Sequence, residues 1–120
     1  MRTNLDSGII SALIGNMKLR GAVVTLAGNL VLGGDCEPLQ MIDPTAARDV
    51  TLPPEADSEN KFLIISNRSN GAENITVKND AAATINVLTG SATASLSETG
   101  LYWCDGTTWY SILTAVYQEN

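Results

Sequence analysis

Few side chains in this sequence have the type and spacing to do chemistry. The 120 residues include no histidine, which removes the commonest general base, the Ser-His and Cys-His nucleophile pairs, and the commonest zinc ligand. Cys36 and Cys104 lie too far apart for a metal-ligand spacing. They are either a disulfide or two buried thiols. Thiols are expected, because Cys104 alternates with residues of an apolar strand and free cysteine packs as a small hydrophobe. Asp35, Asp43, Asp49 and Asp105 are the carboxylates that could form an acid/base pair or a calcium site. Yet Asp43 precedes Pro44, Asp105 precedes Gly106 and Asp35 follows Gly33-Gly34, all favoured turn positions.

The remaining motifs are weak. Gly33-Gly34 is too short to cradle a phosphate, and no Gly-Lys-Ser/Thr follows. Asn67-Arg68-Ser69 and Asn74-Ile75-Thr76 match the glycosylation acceptor pattern and read as chance matches in polar loops. No Ser, Thr or Lys has a recognisable base beside it. The expectation is a non-enzyme with no catalytic residue, no cofactor and no metal. Tyr102, Trp109 and Tyr110 are the candidates for a carbohydrate-stacking platform. The competing expectation, which is favoured, puts both Trp residues in the core and the two Tyr residues at its rim.

Composition narrows the partners. Seven Lys and Arg against thirteen Asp and Glu give a net charge of −6, and the pI is about 4.3. The cations are spread along the chain, so neither nucleic-acid phosphates nor an anionic membrane finds a basic patch. Residues 9–14 are too short for a signal-peptide core and follow a single Arg2. No stretch approaches the roughly 20 apolar residues of a membrane span. A product made in the cytoplasm is expected. A hydrophobic content of 44% with only 17% charged residues, the polar remainder being mostly Thr, Ser and Asn, suits β-sheet surfaces and turns.

Two regions differ in pattern. In residues 1–16, Asp6 or Ser7 can cap a short helix with the stripe Ile9, Ile10, Leu13 and Ile14, stopped by Gly15. It is either a helix closing its own domain or an extended or helical arm docking on a neighbour. Residues 17–120 form one β domain in which period-2 alternation and turn signals recur. Ala27-Gly28-Asn29 reads as a hairpin turn between strands at 18–26 and 30–32. Phe62-Leu63-Ile64-Ile65 reads as a strand buried on both faces. Ala92, Ala94 and Leu96 alternate with Thr93, Ser95 and Ser97 as a further strand. Asp105-Gly106 between aromatic runs predicts a hairpin with a type I′ turn, which would put Trp103 and Trp109 on one face. Nine or ten short strands with no repeat long enough for a solenoid point to an all-β, antiparallel sandwich or barrel-like domain.

Five segments then follow in a fixed order: Leu39-Gln40-Met41-Ile42-Asp43-Pro44, Arg48-Asp49-Val50-Thr51-Leu52-Pro53, Lys61-Phe62-Leu63-Ile64-Ile65-Ser66-Asn67, Ile75-Thr76-Val77 and Cys104-Asp105-Gly106-Thr107-Thr108-Trp109. This progression resembles capsid decoration (cement), head-fibre and some tail-fibre proteins of tailed phages. The resemblance implies a β-rich homotrimer on the outer capsid surface of a virion, bound to the major capsid protein. The short chain and its apolar N-terminal segment favour the head, with Ile9, Ile10, Leu13 and Ile14 as capsid-contact candidates. The alternative is a fibre module that binds a host-surface glycan or receptor through Tyr102, Trp109 and Tyr110.

Overall fold

The computed structural model of the chain describes residues 20–116. The N-terminal stripe of Ile9, Ile10, Leu13 and Ile14 lies outside the described residues. Nine strands carry the fold: β1 (Gly21–Leu26), β2 (Leu30–Val31), β3 (Leu39–Pro44), β4 (Arg48–Thr51), β5 (Phe62–Asn67), β6 (Ile75–Lys78), β7 (Thr84–Leu88), β8 (Glu98–Cys104) and β9 (Trp109–Val116). Two 3-10 turns, Glu55–Asp57 and Ala94–Leu96, are the only helical pieces among the described residues. The β-rich class expected from the sequence is the class observed.

The pairing differs from the expected antiparallel arrangement. One sheet runs β1-β3-β5-β8-β9 and the other β2-β4-β6-β7. The β1–β3, β3–β5, β2–β4 and β4–β6 pairs are parallel, and the later pairs are antiparallel. Both sheets are therefore mixed, and neither closes into a barrel. The reason is local. Ala27-Gly28-Asn29 does not fold β2 back on β1, but carries the chain round a corner from the five-stranded sheet to the four-stranded one. The segments β1–β2, β3–β4 and β5–β6 are three such strand–corner–strand units, stacked in parallel. Leu39 sits on Gly21 and Ile64 on Leu39, while Val50 sits on Leu30 and Val77 on Val50.

The corners are held by the neighbouring unit. The Thr45 amide and hydroxyl donate to the Leu26 carbonyl at 3.1 and 2.8 Å, the Arg48 amide donates to the Asn74 carbonyl at 3.1 Å, and the Asp49 amide donates to Asn29 Oδ1 at 2.9 Å. Backbone groups that a tight bend would strand are thus paired. Asn67 and Ser69, expected in a polar loop, are instead fully buried at the third corner. Asn67 Nδ2 donates to the Glu73 and Leu88 carbonyls at 2.9 and 3.0 Å, and its Oδ1 accepts the Ser69 amide at 2.9 Å. Gly90 closes over this corner, where a Cβ would overlap the Glu73 backbone.

Inward-facing residues of both sheets share one cluster, among them Leu26, Ile42, Ile65, Val50, Ile75 and Leu88. Tyr102 is its largest fully buried side chain. Its ring lies over Gly100, where a Cβ would collide with the phenol, and its hydroxyl donates to Asn86 Oδ1 at 2.6 Å. Asn86 belongs to β7, so this bond ties the edge of one sheet to the middle of the other. Its Nδ2 donates in turn to Thr114 Oγ1 on β9 at 3.1 Å.

Other expectations need correction. Residues 92–97 form no strand; the chain makes the Ala94–Leu96 turn, and Leu96 is exposed. The β8–β9 hairpin forms, but Cys104 pairs with Trp109 across a four-residue loop. In that loop only Gly106 has positive φ, at 97°, so the turn is not type I′. Trp103 consequently pairs with Tyr110, and the two Trp side chains take opposite faces: Trp109 is buried, Trp103 only partly so.

The Gly100 slot and the Tyr102 bond make a graded prediction. Gly100→Ala displaces the ring from its site and should lower stability by about 1–3 kcal/mol, the range for overpacked cores. Tyr102→Phe, which loses one hydrogen bond and no volume, should cost about 1 kcal/mol. Urea unfolding midpoints measure both, and an unchanged Gly100→Ala midpoint would contradict the packing described.

Candidate functional site

Of the carboxylates singled out from the sequence, Asp49 and Asp105 bond within the fold, and Asp43, expected to start a turn, lies instead inside β3, which runs on to Pro44. Asp35 lies in a turn closed by the Cys36 amide donating to the Gly33 carbonyl at 3.0 Å. Asp49 pairs with Lys78 Nζ at 2.9 Å. Asp43 is half-buried on β3. Asp105 Oδ1 accepts the Thr107 and Thr108 amides at 2.8 and 2.7 Å, and Oδ2 accepts the Tyr110 hydroxyl at 3.2 Å. Those donors, the Thr107 amide foremost, hold the Asp105 carboxyl below its ordinary pKa of 3.8. The sequence reading missed one carboxyl pair. Partial desolvation and then the facing Asp80 side chain lift the Glu55 pKa. Among the described residues no group of three or more His, Cys, Asp or Glu could hold a metal ion.

Cys36 and Cys104 are free thiols, half-buried and buried. Burial raises the pKa of each, which keeps them protonated and poorly nucleophilic near neutral pH. Burial likewise pushes the Tyr102 phenol far above its ordinary 10.0.

The three aromatic residues proposed as a sugar platform do not come together. Tyr102 is fully buried, and Trp109 sits in the core with its indole N–H donating to the Pro53 carbonyl at 2.8 Å. Only Tyr110, 44% exposed, faces outward. It stacks on Trp103, the ring centroids 6.2 Å apart and the planes at 24°.

What the outward residues do form is a broad apolar surface on the five-stranded sheet. Register fixes three rows. Phe62, Trp103 and Tyr110 face outward in one, and Leu39, Ile64, Leu101 and Leu113 in the next. The third row runs Val23, Met41, Ser66, Thr99 and Ala115, with Ser66 buried beneath its neighbours and its hydroxyl paired with that of Thr99 at 2.8 Å. Val23 is 88% exposed and Leu113 58%. Between β5, β8 and β9 the surface dips into a shallow depression of about 300 Å³ lined by Ile64, Thr99, Leu101, Leu113, Ala115 and Val116. No Lys, Arg or Glu occupies these three rows. A signal for this surface existed in the sequence: Phe62–Ile65 and Leu101–Cys104 are apolar at both parities, so each strand presents hydrophobes to both sides of its sheet.

The segments that suggested the phage resemblance are divided between the two sheets, with residues 48–53 and 75–77 supplying β4 and most of β6 of the four-stranded one. Leu39–Pro44 is β3, residues 61–67 are β5 with the residue before it, and residues 104–109 are the β8–β9 loop with its flanks. The Leu52-Pro53 and Thr108-Trp109 pieces meet through the Trp109 indole bond to Pro53. Among the described residues no helix is long and apolar enough to cross a membrane.

The Asp105 contacts carry a pH dependence of known sign. A carboxyl whose folded pKa is depressed stabilises the fold above its unfolded value, and that contribution is lost as pH falls through the folded value. The β8–β9 loop should therefore be whole above about pH 4 and loosen below 3.8. In an NMR titration the Asp105 carboxyl should show a midpoint below 3.8; a midpoint at or above that value would contradict the observed hydrogen bonds. Compared with known protein families, with curated proteins and with solved structures, the chain matches none.

Proposed function

We propose that this chain is a non-enzymatic structural subunit of a tailed-phage virion, a sandwich-like β domain that decorates and stabilises the outer capsid surface as a homotrimer. The observation that carries this reading is the uncharged, apolar outer face of the five-stranded sheet. A monomeric soluble protein rarely exposes a contiguous apolar patch of this breadth, and such patches mark contact with another macromolecule. The ordered resemblance to decoration and head-fibre proteins supplies the setting. In that setting the major capsid protein is the partner, and Ile9, Ile10, Leu13 and Ile14 are its apolar contacts. Three such contacts per trimer would bind by avidity, each one modest alone.

The alternative reading, a fibre module binding host-surface carbohydrate, is favoured by the exposed Trp103–Tyr110 stack. In it Tyr110 is the stacking residue, and Tyr102 and Trp109 act only through the fold. A glycan array on the Tyr110→Ala variant discriminates the two: lost glycan binding with an unchanged fold would support the carbohydrate reading.

The capsid reading makes its own prediction. Combining Ile10→Asp with Leu13→Asp should weaken binding to undecorated capsids of the parent phage at least tenfold, measured by co-sedimentation. Unchanged binding would remove the N-terminal segment from the capsid contact, and absence of binding by the unaltered protein would overturn the reading.

A further inference from the structure

The outer face of the five-stranded sheet carries two complementary shapes at opposite edges. At one edge, Val23 of β1 projects with 88% of its surface exposed. At the other lies the depression between β5, β8 and β9, floored by Ile64 and Leu101 and walled by Leu113. Its volume of about 300 Å³ accommodates several aliphatic groups. The strand order β1-β3-β5-β8-β9 puts two to four inter-strand spacings between β1 and the strands of the depression, about 10–19 Å at roughly 4.8 Å each. One molecule cannot fill its own depression with its own β1.

We infer that a second copy of this chain covers the face, the β1 edge of one protomer seated in the β8–β9 depression of the next. The inference rests on the homotrimer of the preceding reading and names its interface. Three observations select a copy over other occupants. The first is charge. The protein carries a net −6, and two copies can approach closely only through a surface from which charge is excluded. The three outer rows themselves carry no charged residue; charge appears only where the rows run out, at Asp43 opposite Thr25, at Glu37 before β3, at Arg68 after β5 and at Asp105 beside Tyr110. A basic or acidic partner would find no counter-charge on these rows.

The second is area. Five strands about 4.8 Å apart and about 20 Å long present roughly 500 Å². In a closed ring of three each face is shared between two neighbours, so the three contacts together remove roughly 1,500 Å² from water, enough for an assembly only when the ring closes. The third is the strand chemistry. Phe62-Leu63-Ile64-Ile65 is apolar at both parities, yet within one protomer only Leu63 and Ile65 are fully buried and Phe62 remains 44% exposed. A copy packed on the outer face completes the two-sided burial that this composition calls for. Because knob and depression are different patches, the contact is heterologous, and a heterologous contact that closes makes a ring.

The test is a disulfide that only this contact can form. In a Val23→Cys/Leu113→Cys double variant the new thiols within one chain are about 19 Å apart, whereas a disulfide needs Cα atoms closer than about 7 Å. Any bond between them joins two chains. After mild oxidation of the full-length variant, a non-reducing gel should show covalent species up to a closed trimer, and neither single variant should exceed a dimer. Both sites are exposed, so the fold is retained, and far-ultraviolet circular dichroism checks it. No cross-linking in the double variant would overturn the inference. So would higher species that form equally in a Val31→Cys/Leu113→Cys control, since Val31 is 74% exposed but on the other sheet.

The same oxidation with Ile10→Asp and Leu13→Asp added separates a further occupant. Unchanged cross-linking supports the copy, whereas cross-linking that appears only in this background would assign the face to the N-terminal segment instead. Cross-linking with no capsid binding would leave the interface standing and remove the virion reading. Capsid binding without cross-linking would do the reverse.

Discussion

In-register stacking of strand–corner–strand units controls everything else in this molecule. Once Leu39 lies on Gly21 and Ile64 on Leu39, side-chain parity is set from β1 through β8, because alternate residues point to opposite faces, and a bulge between β8 and β9 brings both Tyr110 and Leu113 to the outer rows. The inner parity collects Ile42, Leu63, Ile65 and Tyr102 into the core. The outer parity collects Leu39, Ile64, Leu101 and Leu113 into a second apolar surface that the other described residues leave partly exposed. A slip of one residue would exchange the two sets. The Tyr102–Asn86 bond at 2.6 Å helps fix that register, since the phenol reaches Asn86 only if Gly100 and Tyr102 both face inward.

This arrangement explains why chemistry is sparse. Polar groups inside the fold are spent on corners: Asn67 and Ser69 satisfy the third bend, Asn29 the first, and Asp105 the β8–β9 loop. Each bonds at least one backbone group of the bend it holds. A side chain so engaged is poorly placed to act on a substrate, whereas an uncharged sheet face is well suited to packing against protein. The proposed role as a structural subunit follows from that contrast.

Much of the strand content was legible from the residues, and the connectivity was not. Ile75 and Val77 alternate with Thr76 and Lys78, and β6 has that alternation of burial. Asp105-Gly106 marks the one hairpin whose signal was unambiguous, although Asp105's affinity for two following amides made the loop longer than a two-residue turn. The parallel stack was hidden because its repeat is irregular: Leu39 follows Gly21 by 18 residues and Ile64 follows Leu39 by 25. Loops of different length between corners erase any fixed period, and a corner such as Ala27-Gly28-Asn29 has the same residues as a hairpin. Which face a strand buries is a tertiary property, so Trp109 and Tyr102 could not be told from Trp103 and Tyr110 by type. The outer surface left one trace, the runs Phe62–Ile65 and Leu101–Cys104 with hydrophobes at both parities. In a single protomer the run at 62–65 is buried on one side only.

The central claim is that this outer face exists to be covered by further copies of the chain. Sedimentation equilibrium of the full-length protein at micromolar concentration tests it most directly. The account predicts a species of three times the chain mass of 12.7 kDa. A single species at 12.7 kDa across that range would contradict it.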